Sequence, residues 1–380
     1  MRNIDRSKPV LVTGGTGYLA SWIVKMLLQE GLTVHTTVRS LRDESKFKHL
    51  QKIQHQSSGR LKLFEADLLM DGSFEDAIEG CELIIHTASP FKITGIKNPD
   101  KELIQPALQG VRNLFFSAGE SVAVKRIVLT SSIAAMFGDT IETKSIPGKT
   151  VNECDWNTSS TPKYQPYSYS KTIAEQEAWR LAERLNNFDL VVINPGLILG
   201  PSLSRRSDST SISLMMQLCT GKFKKGVPAI KQAFVDVRDV AQAHINAGFL
   251  SDAAGRHLTA AHKKDFLDVA GIIREQNPEC PLPEKYISKW LFKLVGPFWG
   301  YSRKFISRNT GFDFSFDNSY ARRDLHIEFR PFEQTVKDHF RQLVADGLIL
   351  DKKMIIHEGS HNWSNGISWE SAGKTIAEPK

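Results

Sequence analysis

Residues 10–20, VLVTGGTGYLA, constrain the fold of this chain more than any other stretch. Val10, Leu11 and Val12 form a short continuous apolar run. Thr13 closes it, and Gly14, Gly15 and Gly17 follow. From Tyr18 to Glu30, Leu19, Ile23, Met26 and Leu27 recur at spacings of three and four, the period of a helix packed along one face. The stretch predicts a buried strand, a tight glycine turn and a helix. Such a turn aims helix amides and the positive end of the helix dipole at whatever sits above it, and a phosphate suits that place. Gly15-x-Gly17-x-x-Ala20 fits the dinucleotide-binding pattern, which accepts alanine at its third position. Gly14, Gly15, Thr16, Gly17, Tyr18 and Leu19 are the candidate residues of this cofactor turn.

Gly31 closes the first helix, and the β-branched run over 33–38 reads as the second strand. Arg39 stands at its end. In dinucleotide folds an acidic residue in this region binds the ribose 2′-hydroxyl, whereas an arginine accommodates a 2′-phosphate. Arg39, with Lys46 on the following helix, points to NADP over NAD. Residues 61–66, 83–88, 126–130 and 190–193 read as four more strands, with helices over 73–80, 106–120 and 167–186 and a long loop over 138–166. This alternation predicts an α/β fold, a doubly wound parallel sheet over residues 8–200. Thr87-Ala88-Ser89 falls at the carboxyl end of the fourth strand, where open α/β sheets bind ligands. The segment FVDVRD, 234–239, reads as a short strand and helix N-cap that return to this domain with a helix to Leu250. Residues 201–346 read mostly as a smaller substrate-side lobe. It opens on a mobile Ser-rich loop with Arg205, Arg206 and Asp208, and its last well-patterned helix spans 334–345. Residues 347–380, with His357, His361, Trp363 and Trp369, read as a loosely ordered polar tail.

A chain of 380 residues can hold a doubly wound domain and a smaller one. Its net charge of +7 reads as a solvated basic surface that would also favour an anionic ligand. No Lys/Arg block with interleaved aromatics suggests nucleic-acid binding. The four cysteines, Cys81, Cys154, Cys219 and Cys280, form no CxxC or Cys/His cluster, so neither a metal site nor a disulfide framework is expected. The N-terminus is polar, and no apolar run approaches the ~18 residues of a membrane span. These features predict a cytoplasmic, reduced protein, in which the sequons at Asn157 and Asn362 carry no meaning.

Three residues carry the chemistry. Tyr167 can give a proton to a carbonyl oxygen as hydride reaches the carbon. A tyrosine with the ordinary pKa of about 10 is a poor partner near neutrality. Lys171, one helical turn on, adds a positive charge expected to lower that pKa, and it can reach ribose hydroxyls. Ser132, at the end of the fifth strand, can hydrogen-bond the same carbonyl oxygen.

TGGTGYLA, Asp67-Leu68, Thr130-Ser131-Ser132, Tyr167-x-x-x-Lys171, Asn194-Pro195-Gly196 and FVDVRDVA together resemble the extended short-chain dehydrogenase/reductase family, over roughly residues 8–346. Within it the chain is most similar to the branch of dihydroflavonol 4-reductases, cinnamoyl-CoA reductases and yeast methylglyoxal reductases. The resemblance implies a Rossmann fold and NADPH-dependent reduction of an aldehyde or ketone. It implies 2′-phosphate contacts at Arg39 and Lys46, and further cofactor contacts at Asp67, Leu68, Thr87, Ala88, Ser89, Pro195, Gly196, Leu197, Ile198 and, on a weaker match, Ser211. The chain departs from the family at Ala20, where the third glycine usually stands, and at Phe137, where plant dihydroflavonol reductases carry an Asn or Asp. It reads YQPYSYSK where cinnamoyl-CoA reductases have a Trp-Tyr-Cys run before the lysine.

Two other classes stay open at this point: a nucleotide-sugar epimerase or dehydratase with retained NAD, against which Arg39 counts, and a non-catalytic NADP-binding protein, against which the intact Ser132, Tyr167 and Lys171 count. The most aromatic stretch, WLFKLVGPFWGY over 290–301, reads first as a core helix of the smaller lobe. A lid over a bulky apolar carbonyl substrate is the alternative, and peripheral membrane contact is the least favoured. The sequence leaves the oligomeric state open.

Overall fold

The computed structural model describes residues 2–89, 96–146, 148, 150–205 and 209–349. Arg206 and Asp208, and the tail from residue 350 with its histidines, tryptophans and Asn362, lie outside the described residues. The first half alternates as its sequence pattern demands: β1 (Val10–Thr13), α1 (Tyr18–Gln29), β2 (Thr33–Val38), α2 (Lys48–His55), β3 (Arg60–Glu65), α3 (Glu75–Ile78), β4 (Leu83–His86), α4 (Gln105–Glu120) and β5 (Arg126–Thr130). The stretch expected as one long loop contains a short 3₁₀ turn, Thr140–Ser145, and a two-residue strand, β6 (Thr150–Val151). Then come α5 (Pro166–Leu185), β7 (Asp189–Pro195), β8 (Leu197–Leu199), α6 (Thr210–Cys219), β9 (Gln232–Asp236), α7 (Val237–Phe249) and β10 (Gly255–Thr259).

Seven strands form one parallel sheet in the order β10-β7-β5-β4-β1-β2-β3. Successive side chains of a strand face opposite ways, so a strand covered on both faces is apolar throughout. That is why β1 has no polar alternation. Val10 and Val12 join the core built with α1 and α7, while Leu11 joins the core built with α4 and α5. Strand order reverses between β1 and β4, which leaves a crevice at their carboxyl ends where such sheets bind ligands.

Two expectations need correction. The FVDVRD strand does not return to this sheet. As β9 it pairs with β8 and with β11 (His262–Lys264) in a separate three-stranded sheet. Its end does form the expected cap, since Asp236 accepts the Arg238 N–H at 2.8 Å, and α7 packs in the α1-side core. The strand that joins the main sheet is β10, GRHLT, whose Arg256 and His257 hide it from an apolar-run reading. Helix α6 starts at Thr210, so the Ser-rich stretch 202–213, expected as a loop, ends in a helix.

The remaining elements are α8 (Phe266–Gln276), α9 (Lys289–Val295), α10 (Arg303–Asn309), β12 (Ser315–Phe316), α11 (Ser319–Asp324) and α12 (Phe332–Ala345). Helices α6, α8 and α12 share a third core with Leu199 and Phe234. Strand β12 pairs with β6, tying this part back to the segment ahead of α5.

Candidate active site

The β1–α1 turn is built on glycines that the close approach of neighbouring chain requires. Gly14 adopts φ +68°, and its N–H donates to Thr37 Oγ1 at 2.9 Å. The Gly15 N–H donates to the Thr37 carbonyl at 3.0 Å. A Cβ on Gly15 would lie 2.1 Å from Thr36 Oγ1, and one on Gly17 would lie 3.1 Å from the Gly14 carbonyl. Gly17 caps α1 with no side-chain bond, so the first amides of a twelve-residue helix are left for an anion. Ala20 is buried against the strands, which its small side chain permits. The Tyr18 side chain points away from the turn and its hydroxyl donates to the Gly200 carbonyl at 2.5 Å, while Leu19 is core.

Thr13 ties this turn to the end of β4. Its carbonyl accepts the Thr87 hydroxyl at 2.6 Å, and its hydroxyl accepts the Ala88 N–H at 3.1 Å and lies 2.8 Å from His86 Nδ1. Burial, with Lys171 adding to it, pushes His86 down to about 3, so this imidazole stays neutral. A side chain on Gly14 would press on Ala88 Cβ at 3.1 Å. The next residue, Ser89, accepts a hydrogen bond from Lys171 Nζ at 3.1 Å. The end of β4, α4 and α5 thus border one cleft, whose walls include Leu68, His86, Ala88, Ser89, Lys171 and Glu175.

Ser132 and Tyr167 lie close enough for the Ser132 side chain to act on the phenol. The expected lowering of the Tyr167 pKa does not occur. Burial pushes it up to about 12, the Ser132 side chain opposes that rise, and Lys171 is not among the groups acting on it. Desolvation of the phenol sets the direction of the shift, and the lysine one turn away is itself desolvated. Burial pulls Lys171 down to about 8 against the pull of Glu175.

The other expected residues are placed as follows. Arg39 is exposed at the end of β2 and makes no ion pair among the described residues. Lys46 is also exposed, 3.4 Å from Asp43, and shares no partner with Arg39. Asp67 follows β3, its carboxylate accepting the Leu69 N–H at 2.8 Å. The Leu68 carbonyl accepts Asn113 Nδ2 at 2.8 Å, which fixes this turn to α4. Pro195 ends β7. A Cβ on Gly196 would lie 2.3 Å from the Ala233 carbonyl, so glycine is required where β8 starts with Leu197 and Ile198. Ser211 is buried in the first turn of α6.

Two buried carboxylates lie beyond what the sequence reading names. Glu175, one turn beyond Lys171, accepts Ser131 Oγ at 2.5 Å, Asn194 Nδ2 at 2.8 Å and Arg256 Nε at 2.6 Å. Arg256 is also held by the Glu153 and Asp155 carbonyls and stacks 3.9 Å over Trp156. Asp139 accepts Tyr164 Oη, Gln165 Nε2 and Asn309 Nδ2, each at 2.7 Å, and the Arg308 Nε. The i, i+4 spacing of Lys171 and Glu175 is the one sequence clue to either.

A parallel sheet with a phosphate-ready glycine turn, an arginine after its second strand and a Ser/Tyr/Lys set beside it defines the class of NADP-dependent oxidoreductases on a Rossmann fold. The profile of the NAD dependent epimerase/dehydratase family matches residues 10–258, and the chain belongs to that family. Within it the chain falls in the extended short-chain dehydrogenases/reductases, in the branch of dihydroflavonol and cinnamoyl-CoA reductases, and its cofactor is NADP(H). It is 40% identical to cinnamoyl-CoA reductase CAD2 of Medicago truncatula over 90% of this chain and 98% of that one. It is 38% identical to an Arabidopsis thaliana anthocyanidin reductase over 72% of this chain and 82% of the relative. Its fold is similar to that of yeast methylglyoxal/isovaleraldehyde reductase complexed with NADPH, with a TM-score of 0.74 and 25% identity, over 90% of this chain and the whole of that one.

Proposed function

We propose that the protein reduces an aldehyde or ketone to an alcohol, with Tyr167 as proton donor, Ser132 as the hydrogen-bond partner of the carbonyl oxygen and Lys171 as the ribose-binding cation of the site. The observation that carries this reading is the nearness of the Ser132 side chain to the Tyr167 phenol, with Lys171 one turn on along the same helix. When bound, the reduced nicotinamide supplies hydride to the carbonyl carbon. Tyr167, held protonated by burial, keeps a proton available for the oxygen as it becomes basic. Ser132 orients that oxygen and stabilises the charge developing on it. The Lys171 ammonium is held toward the β4 end by Ser89. Arg39 and Lys46 would hold the 2′-phosphate of the cofactor through charge-assisted bonds, and the exposure of Arg39 at the end of β2 leaves it available for this. The amides around Gly14–Gly17 would take the pyrophosphate.

The substrate is read as bulky and apolar, taken up on the side of the elements after residue 200. Phe137, five residues beyond Ser132, packs against Phe314 at a ring separation of 5.3 Å, and Phe314 against Phe316 at 6.2 Å, which supports an aromatic wall on this side. The test is turnover of a carbonyl panel beside NADPH titration. Tyr167→Phe is expected to lower turnover by ~10²–10⁴-fold, the usual worth of a general acid, with NADPH affinity kept. Tyr169→Phe, two residues round the helix, is expected to be mild. A Tyr167→Phe enzyme of normal turnover, or a redox-neutral conversion of a nucleotide sugar, overturns the reading.

A further inference from the structure

The stretch 290–301 is core only along its inner side. Helix α9, capped by the Ser288 hydroxyl, folds back through Gly296-Pro297 onto α10. Its inner side is fixed by Phe292 and Ile306, both fully buried with Ile230 and Ile287. Its outer side faces solvent: Phe298 is 89% exposed, Trp290 71%, and Leu291, Leu294 and Trp299 are exposed too. Among the described residues no other run concentrates so much exposed apolar and aromatic surface, and single exposed hydrophobics elsewhere are ordinary.

The two segments around this patch carry one sign of charge. Between Glu284 and Asp313 there is no acidic residue, and there is none from Thr220 to Val235. The two segments lie together. The Val227 N–H donates to the Lys285 carbonyl at 3.2 Å, the Ile287 N–H to the Val227 carbonyl at 2.9 Å, and Phe223 meets Trp299 edge to face. Some of their cations are committed inward: Lys231 to Asp265, Lys289 to the Ser307 and Thr310 carbonyls, and Arg308 to Asp139 and Glu142. Lys224, Lys225, Lys285, Lys293 and Arg303 are exposed and make no ion pair among the described residues.

We propose that this face docks on a membrane surface that carries anionic lipid. Tryptophan, phenylalanine and leucine side chains that stand out from a fold whose inner side is already packed suit the boundary between headgroups and acyl chains. The basic segments suit the negative potential of anionic headgroups. A second copy of this chain is disfavoured as the occupant, because a two-fold contact would bring the same basic segments face to face. A polyanion without an apolar layer would leave Trp290, Leu294 and Phe298 uncovered. On sequence alone membrane contact ranks last for this stretch, because nothing in it tells which side of the hairpin points outward.

The experiment is co-sedimentation of the full chain with vesicles of phosphatidylcholine alone and of phosphatidylcholine with phosphatidylglycerol, at low and at physiological salt. Binding is expected only where phosphatidylglycerol is present, weakening as salt rises. The double variant Trp290→Ala/Phe298→Ala is expected to lose sedimentation, with an unchanged melting temperature because both side chains stand in solvent. Lys224→Gln/Lys225→Gln is expected to weaken binding about fivefold per lysine. No sedimentation with the anionic vesicles, or sedimentation that survives the aromatic double variant, overturns the proposal. So does a concentration-dependent dimer that the same variant disperses. None of these readouts depends on the catalytic assignment.

Discussion

Helix α5 is held by two buried carboxylates that differ in what lies behind them. Glu175 sits in the middle of the helix and gathers its donors from the ends of three strands of the main sheet: Ser131 after β5, Asn194 in β7 and Arg256 in β10. Asp139 meets the start of the helix through Tyr164 and Gln165, and its other donors, Arg308 and Asn309, come from α10. The first carboxylate fastens α5 to the sheet, and the second fastens its N-terminus to the C-terminal elements. Tyr167 and Lys171 lie between the two. One side of the site is therefore set by the rigid sheet and the other by a contact between two parts of the chain, and the two should respond differently when broken.

The largest effect is expected at Glu175. Its main partner, Arg256, has a side chain only 7% exposed. Glu175→Ala leaves that guanidinium with two carbonyls and only the Glu153 carboxylate nearby as counter-charge, and removing one member of a buried pair costs about 3–5 kcal/mol. Urea unfolding of the variant should show this loss with an unchanged slope. A loss below about 1 kcal/mol would mean that the carbonyls, the Glu153 carboxylate and Trp156 alone satisfy Arg256, and that Glu175 is no anchor.

Asp139→Ala should cost less, about 1–3 kcal/mol, the range for stranded hydrogen-bond partners. Arg308 is more exposed and keeps Glu142 at 2.8 Å, so its charge is not left alone. The same denaturation series checks the ranking, and a larger loss than at Glu175 would reverse the comparison.

The difference between the two anchors also marks what a sequence can say. Strands β1, β4, β5 and β7 are legible because covering both faces of a parallel sheet demands unbroken apolar runs, and Tyr167 and Lys171 are legible because their partnership is local. Strand β10 is not, because its Arg256 is neutralised by a residue 81 positions away. Asp139 meets Arg308 across 169 positions, with no local pattern to announce it. The direction of the Tyr167 pKa shift is hidden for a related reason, since spacing reports a lysine four residues on and says nothing of the burial that sets the shift. In 290–301 composition marks the aromatic surface but does not tell an inward face from an outward one.

A pH profile sharpens the comparison further. Lys171 titrates near 8, lowered by burial and raised in part by Glu175. Its folded pKa lies below the usual lysine value, so between about pH 8 and 10.5 the unfolded chain holds more protons on this lysine than the folded one. This group therefore makes stability rise with pH across that window, with no further change above it. Activity that needs the ammonium moves the opposite way, and kcat/KM should fall on an alkaline limb near pH 8. Glu175→Gln removes the carboxylate that supports the charge, so the limb should shift to lower pH. Asp139→Asn should leave it in place, because Asp139 is not among the groups acting on Lys171. A limb that moves equally in both variants would remove the distinction between the anchors.

The smallest effect on stability is expected at the link between Asp139 and the helix start. Gln165 precedes Pro166 in a left-handed conformation, φ 55° and ψ 56°, while its side chain donates to Asp139 at 2.7 Å. A non-glycine residue there carries a backbone cost of roughly 1–2 kcal/mol. A hydrogen bond to a charged group returns about 1.5–3 kcal/mol. Gln165→Gly removes both, so the melting temperature should change by no more than a few degrees, about 1 kcal/mol in a chain of this size. Turnover has no such compensation. The variant frees the backbone two residues before Tyr167, and a proton donor displaced by a fraction of an ångström loses rate. A severalfold fall in kcat with NADPH affinity unchanged would mark Gln165 as a positioning residue acting through the helix start. Equal kcat in the two enzymes would mean that the sheet-side anchor at Glu175 alone sets the place of the phenol.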